Sequence, residues 1–375
     1  ECPRIETICA GNVHEFYTPE PSTWSARGHV RIDSASDLTD VASCRRIDGD
    51  LTISLDYSAH IDGLRSLTGL GGDIFIDGGS LHNVDGLSGL ENWCGENLTI
   101  LGADSLDQVD GLSGFRTVRG DLTISGNEGD TDWSGLSGLT EVGGDLTISG
   151  NNLGLGFEGL ANLTRVGGDL TIVGNNFEGT GISLPALEEV VGSVMIEANE
   201  GLVNIEDWWS LNRVDGSLYI EANPDLVAID GLDSLSYVVG QLHIVDNDAL
   251  VHVDGLVSVS LVGGSVYILD NDSIVDVDGL INLAGIAEEL VIRDNPLLHS
   301  LESLSGLEFL RDVVIARNGS LIELWEPSAL VSLSQVEVLN NESLCQDRVD
   351  EFYDALEPEV ISYLFFRFTA QRNNG

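Results

Sequence analysis

The chain has 375 residues, with 62 acidic and 16 basic side chains, no lysine, and a formal net charge of −46. Such a charge excludes electrostatic binding of a nucleic-acid backbone or an anionic membrane. The missing lysine excludes Schiff-base chemistry and a P-loop nucleotide site. Hydrophobic residues make up 42% and stand at regular positions, which disordered acidic chains lack. No apolar run reaches the roughly 18 residues of a membrane span. The acidic, lysine-free composition fits a salty medium that screens self-repulsion, or a GC-rich genome that favours arginine codons.

Residues 1–28, with Phe16, Tyr17 and Trp24, are read as an N-terminal cap, because a repeat array follows and its open end needs cover. The stretches 120–127, 144–151 and 168–175 are near copies of Gly-Asp-Leu-Thr-Ile-x-Gly-Asn. Taking the middle residue of each Leu-x-Ile core as a marker gives Phe75, Thr99, Thr123, Thr147, Thr171, Met195, Tyr219, His243, Tyr267 and Val291, spaced by 24 residues. Weaker copies at Arg31, Thr52, Val314 and Glu337 extend the series to about fourteen coils. One 24-residue coil cannot bury its own apolar set, whereas stacked coils can. The predicted fold is therefore all-β: a parallel β-solenoid over residues 29–341, a single structural domain about 65 Å long at one strand spacing per coil.

Four residues after each marker from Thr123 to Glu337 stands an asparagine, from Asn127 to Asn341, placed to bond backbone groups of neighbouring coils. Asp-Gly pairs such as Asp110 with Gly111 and Asp278 with Gly279 read as turn chemistry. In the first half, Asp121, Asp145 and Asp169 form one row and Thr99, Thr123, Thr147 and Thr171 the next. Regular threonine rows resemble the ice-binding faces of some solenoids, but the adjoining aspartates suit ice poorly. The adopted reading is β-propensity beside a solvated edge.

In the second half the same rows change. The markers become Met195, Tyr219, His243 and Tyr267, flanked by Ser193, Ser217, Gln241 and Ser265 on one side and Glu197, Glu221, Val245 and Leu269 on the other. Aromatic rings among small polar and acidic groups are what a recognition patch requires. The candidate partner-binding residues are Met195, Glu197, Tyr219, Glu221, His243 and Tyr267. Asp246, Asp248, Asp270, Asp272 and Asp294 recur along the next turns, and Ca²⁺ is the cation such carboxylates would take. Residues 342–375 are read as a C-terminal cap. Val349, Phe352, Tyr353 and Leu356 fall at helical spacing, Pro358 interrupts, and residues 360–366 add apolar side chains.

The coil resembles the receptor L domain, the leucine-rich-repeat-like solenoid of the EGF and insulin receptor ectodomains and of microbial surface proteins. Residues 37–53, Asp-Leu-Thr-Asp-Val-Ala-Ser-Cys-Arg-Arg-Ile-Asp-Gly-Asp-Leu-Thr-Ile, carry the most specific match, and Asn-Glu-Ser-Leu-Cys at 341–345 resembles its close. The resemblance covers roughly residues 29–345. It implies a disulfide from the N-terminal segment to Cys44, with Cys9 as partner and Cys2 as the alternative. It also implies that ligand binds on the exposed face of the main sheet. Cys94 and Cys345, about ten coils or roughly 48 Å apart, are too distant to pair. The odd count of five leaves a thiol unpaired or paired outside the chain.

The expected function is a secreted or cell-surface recognition or adhesion module without catalysis, binding an extracellular protein or glycan or copies of itself. The alternatives are a structural subunit of a fibre, sheath or surface layer, and a polysaccharide-processing enzyme, which would need a cleft that regular coils do not suggest.

Overall fold

Each Leu-x-Ile core alternates apolar and polar side chains, and its β-branched residues suit a pleated strand. In the computed structural model, which describes residues 25–26, 28–55, 59–154, 157–179 and 181–356, each core is a short parallel strand. Internal contacts divide the chain into two units, residues 1–176 and 177–375. The division falls in the corner after Asn175, inside the 29–341 array.

The first unit carries seven principal strands: β1 (Val30–Ile32), β2 (Leu51–Ile53), β3 (Ile74–Asp77), β4 (Leu98–Leu101), β5 (Leu122–Ser125), β6 (Leu146–Ser149) and β7 (Leu170–Val173). Neighbours pair one coil apart without slippage, so Phe75, Thr99, Thr123, Thr147 and Thr171 stand in one row. The second unit carries seven more: β8 (Val194–Glu197), β9 (Leu218–Glu221), β10 (Leu242–Val245), β11 (Val266–Leu269), β12 (Glu289–Arg293), β13 (Asp312–Ala316) and β14 (Gln335–Leu339). Its row runs Met195, Tyr219, His243, Tyr267, Val291, Val314, Glu337. The fourteen principal strands match the predicted coil number, and the fold is a parallel β-solenoid.

From β5 onward the coils close in a common way. After the principal strand comes a buried asparagine corner, then a third face of short bridges or 3₁₀ turns, then a two-residue strand of a lateral sheet. The lateral strands include Thr117–Val118, Glu141–Val142 and Arg165–Val166 in the first unit. In the second they include Arg213–Val214, Tyr237–Val238, Leu261–Val262 and Gly285–Ile286. The side chains flanking each marker point inward: Leu122, Ile124, Leu242 and Ile244 are fully buried, as are Ile229, Leu235 and Leu250. Each such side chain contributes about 1.5–3 kcal/mol relative to exposure.

The asparagines form a continuous ladder within each unit. Asn127 donates its Nδ2 and backbone N–H to Asn151 Oδ1, and Asn151 does the same to Asn175. In the second unit the chain of amides runs from Asn199 through Asn223, Asn247, Asn271, Asn295 and Asn318 to Asn341. Nδ2 groups of the ladder also reach strand carbonyls of the preceding coil, as from Asn247 to Ile220 O at 2.9 Å. Polar groups that would be costly if unpaired in a dry interior are thereby satisfied.

The glycine of the Asp-Gly pairs has a different cause from the turn chemistry read in the sequence. In the 3₁₀ turns Asp110–Leu112 and Asp278–Leu280, a Cβ on Gly111 or Gly279 would lie 1.8 Å from the carbonyl oxygen of Val84 or Val253 in the preceding coil. Close approach between coils, rather than a special backbone angle, requires glycine there.

Among the described residues, two α-helices interrupt the β architecture. Helix α1 (Ala35–Val41) was not predicted. It starts with a capping box in which Ser34 N donates to Asp37 Oδ2 at 2.9 Å and Asp37 N donates to Ser34 Oγ. Helix α2 (Gln346–Ala355) is the predicted C-terminal helix. It buries Val349 and Phe352, followed by Leu356, and Phe352 meets Trp325 edge-on with ring centroids 4.9 Å apart. Burial, with Glu337 adding to it, pushes the Tyr353 phenol up to about 12. The N-terminal cap around Phe16, Tyr17 and Trp24, and the segment from Pro358 through 360–366, lie outside the described residues. Among the described residues, no helix is long and apolar enough to cross a membrane.

Candidate recognition surface

Three rows of side chains cover the outer face of each principal sheet. The row two residues before the marker is structural. Asp73 Oδ1 accepts the N–H of Asn97, Asn97 Oδ1 that of Asp121, Asp121 Oδ1 that of Asp145, and Asp145 Oδ1 that of Asp169, all at 2.8–2.9 Å. Burial alone would raise the Asp73 carboxyl, but the Asn97 and Glu96 N–H groups and the Asn97 amide outweigh it and hold it below the usual range. The aspartates read as a solvated edge are thus a second side-chain ladder, parallel to the asparagines.

In the second unit serine takes over this task. Ser217 N donates to Ser193 Oγ, and Gln241 N donates to Ser217 Oγ at 2.9 Å. Ser265, expected to face solvent, is buried, because its hydroxyl lies between the Glu289 N–H and the Glu288 carboxylate. The exchange of aspartate for serine and glutamine leaves a neutral margin beside Tyr219 and His243.

Those markers form a ladder of rings. The Tyr219 and His243 centroids are 4.8 Å apart and those of His243 and Tyr267 4.6 Å, both edge-to-face. His243 is fixed at both nitrogens: Nδ1 lies 2.9 Å from Glu221 Oε1 and Nε2 lies 2.9 Å from Gln241 Oε1. Glu221 thus joins the ladder directly. Met195 and Glu197 sit in register on β8, opposite Tyr219 and Glu221. All six predicted partner-binding residues share one sheet face, partly exposed. Val291, the next marker, is buried and ends the exposed ladder.

The acidic residues run along one flank of this ladder. Asp246, Asp270 and Asp294 occupy the corner just after β10, β11 and β12, each with positive φ (57, 54 and 59°). In the first unit the equivalent corners are Gly102, Gly126, Gly150 and Gly174. Burial first, then the carboxylates of Asp272, Asp246 and Asp270, push Asp248 above the usual carboxyl range. Asp270 is raised by burial and by Asp294, against the pull of Arg293 and Arg317. Arg317 closes the row, its Nε donating to Asp294 Oδ1 at 2.6 Å. The five predicted calcium ligands therefore neighbour one another. Among the described residues, no group of three or more His, Cys, Asp or Glu is arranged to hold a metal ion.

Sequence reasoning missed a second exposed feature. On the lateral sheet of the second unit, Tyr237, Leu261, Gly285 and Phe309 align in one row. Tyr237, Leu261 and Phe309 are 46%, 39% and 51% exposed, which makes them large apolar groups facing solvent. The signal was the residue preceding the buried Val or Leu of each lateral strand, a position that periodicity marks only as outward. Of the cysteines, Cys44 and Cys94 are disulfide-bonded and Cys345 is a free thiol. Cys2 and Cys9 lie outside the described residues.

No family model and no curated protein matches the chain. Among solved structures it is similar to an internalin of Listeria monocytogenes, at 14% identity and a TM-score of 0.40, over 90% of this chain and 85% of that one. It is also similar to a leucine-rich-repeat protein of Leptospira interrogans, at 13% identity and a TM-score of 0.38, over 87% of this chain and 91% of that one. The coil itself, with a Leu-x-Ile strand, a buried asparagine corner and a returning third face, defines a leucine-rich-repeat-like parallel solenoid.

Proposed function

We propose that this chain is a non-catalytic recognition module, secreted or displayed at a cell surface, that binds a protein or glycan partner on the principal sheet of its second unit. The observation that carries this reading is the Tyr219–His243–Tyr267 ladder. Its rings meet edge-to-face across strands, its central imidazole is held by Glu221 and Gln241, and the sheet beneath is buried and regular. A face ordered before the partner arrives loses little side-chain entropy on binding. Tyrosine offers large rigid contact area with a hydroxyl at its tip. The resemblance of the coil to receptor L domains, which bind ligand on this face, supports the same location.

The test is to probe glycan and peptide arrays with the chain and with Tyr219→Ala/Tyr267→Ala. The expected result is at least one ligand lost by the variant, while unfolding free energy falls by no more than about 1 kcal/mol per substitution. Ligands held equally by both proteins, or no ligand at all, would contradict the reading.

One observation favours a second reading, lateral association as a structural subunit: the exposed row Tyr237, Leu261 and Phe309. Sedimentation velocity separates the two. Assembly abolished by Leu261→Ser with Phe309→Ser would favour the structural subunit, and a monomer in both proteins would remove it.

A further inference from the structure

Resting on that recognition reading, we infer that the segment bound by the ring ladder is cationic, specifically an arginine-bearing stretch of a protein partner. Three features of the face point to a guanidinium. The first is the pair of partly exposed tyrosines on β9 and β11. A planar cation stacks on such rings and is attracted by their quadrupole. The second is a row of carboxylates along one side of the rings. Glu197 and Glu221 pair in register on β8 and β9, and Asp246 and Asp270 occupy the exposed corners after β10 and β11. The opposite margin is neutral at Ser193, Ser217 and Gln241, which are engaged with backbone or His243, and meets a carboxylate only at its Tyr267 end, where Glu288 bonds Ser265. A guanidinium over a ring could therefore turn its donor fork toward a carboxylate, the geometry that favours arginine over lysine.

The third feature is that the flank's own arginines, Arg293 and Arg317, lie together at one end of it, both against Asp294. Burial and mutual repulsion already push Asp248 and Asp270 upward. An incoming positive charge relieves that repulsion, so this flank favours a basic partner over a neutral or acidic one.

The test uses the full chain at physiological salt with a labelled, blocked peptide carrying two arginines in a Gly-Ser background. Counterparts substitute citrulline, which keeps the shape without the charge, or lysine. Because the chain carries a net charge of −46, the control must leave charge untouched, and Tyr219→Leu/Tyr267→Leu does so. The expected result is that the arginine peptide binds and the citrulline peptide binds at least about tenfold more weakly. Both the ring variant and Glu197→Gln weaken the arginine peptide several-fold. Equal binding of the arginine peptide to the chain and the ring variant would mean attraction to overall charge alone, and would overturn the inference. Array ligands that depend on the rings but are all neutral, acidic or glycan would also overturn it while leaving the recognition reading intact. An absence of any ring-dependent ligand would remove both.

Discussion

At the residue scale, Asn247 shows what each rung of the amide ladder does. Its Nδ2 donates to Ile220 O, Val245 O and Asn271 Oδ1, and its Oδ1 accepts from both Asn223 N and Asn223 Nδ2. Asn247→Ala leaves buried donors and acceptors without partners, so denaturant unfolding should show a loss of about 2–5 kcal/mol. A loss under 1 kcal/mol would mean water replaces the amide. Asp248 behaves oppositely, because its folded pKa is raised. The stability linked to that shift is present below the unfolded value of 3.8 and is lost as pH rises through the folded value. Asp248→Asn should therefore raise the melting temperature at pH 7 and leave it unchanged near pH 3. An equal shift at both pH values would assign the effect to something other than charge. The sequence showed the 24-residue recurrence of these residues. The entry ladder from Asp73 to Asp169 was not legible, because an exposed aspartate bonding a neighbouring N–H looks the same in sequence as a solvated one.

At the element scale, the corner after each principal strand separates the two units. The first unit uses glycine at positive φ, while the second places Ala198, Ala222, Asp246, Asp270, Asp294, Arg317 and Asn340 in the same left-handed conformation. An L-residue there costs about 1 kcal/mol more than glycine. A Cβ on Gly150 meets nothing closer than 3.8 Å, so Gly150→Ala should cost only that backbone strain, about 1 kcal/mol. Gly279→Ala should cost considerably more by chemical denaturation, because its Cβ would fall 1.8 Å from Val253 O and force the coils apart. Equal costs would mean the coils can separate freely. Strand positions were legible from the Leu-x-Ile alternation. Helix α2 was legible from the spacing of Val349, Phe352 and Leu356. Helix α1 was not, although Ser34 and Asp37 stand at capping-box spacing, because its seven residues bury only Val41 and so carry almost no apolar periodicity.

At the scale of the whole molecule, the repeat dictates the fold, and departures from the repeat mark the candidate face. Asparagine recurs in every corner from Asn127 to Asn341 because the interior demands it. Nothing in coil stacking demands tyrosine at 219 and 267 or glutamate at 197 and 221. The face is therefore legible as a change in row composition. What the sequence could not separate is the ring ladder from the lateral row of Tyr237, Leu261 and Phe309, since both are outward positions on strands. The most direct measurement is oxidative side-chain footprinting of the chain with and without a ligand taken from the array. The account predicts protection of Met195, Tyr219 and Tyr267 while Tyr237 and Phe309 stay as reactive as in the free chain. Protection of Tyr237 and Phe309 with Tyr219 and Tyr267 unchanged would contradict it.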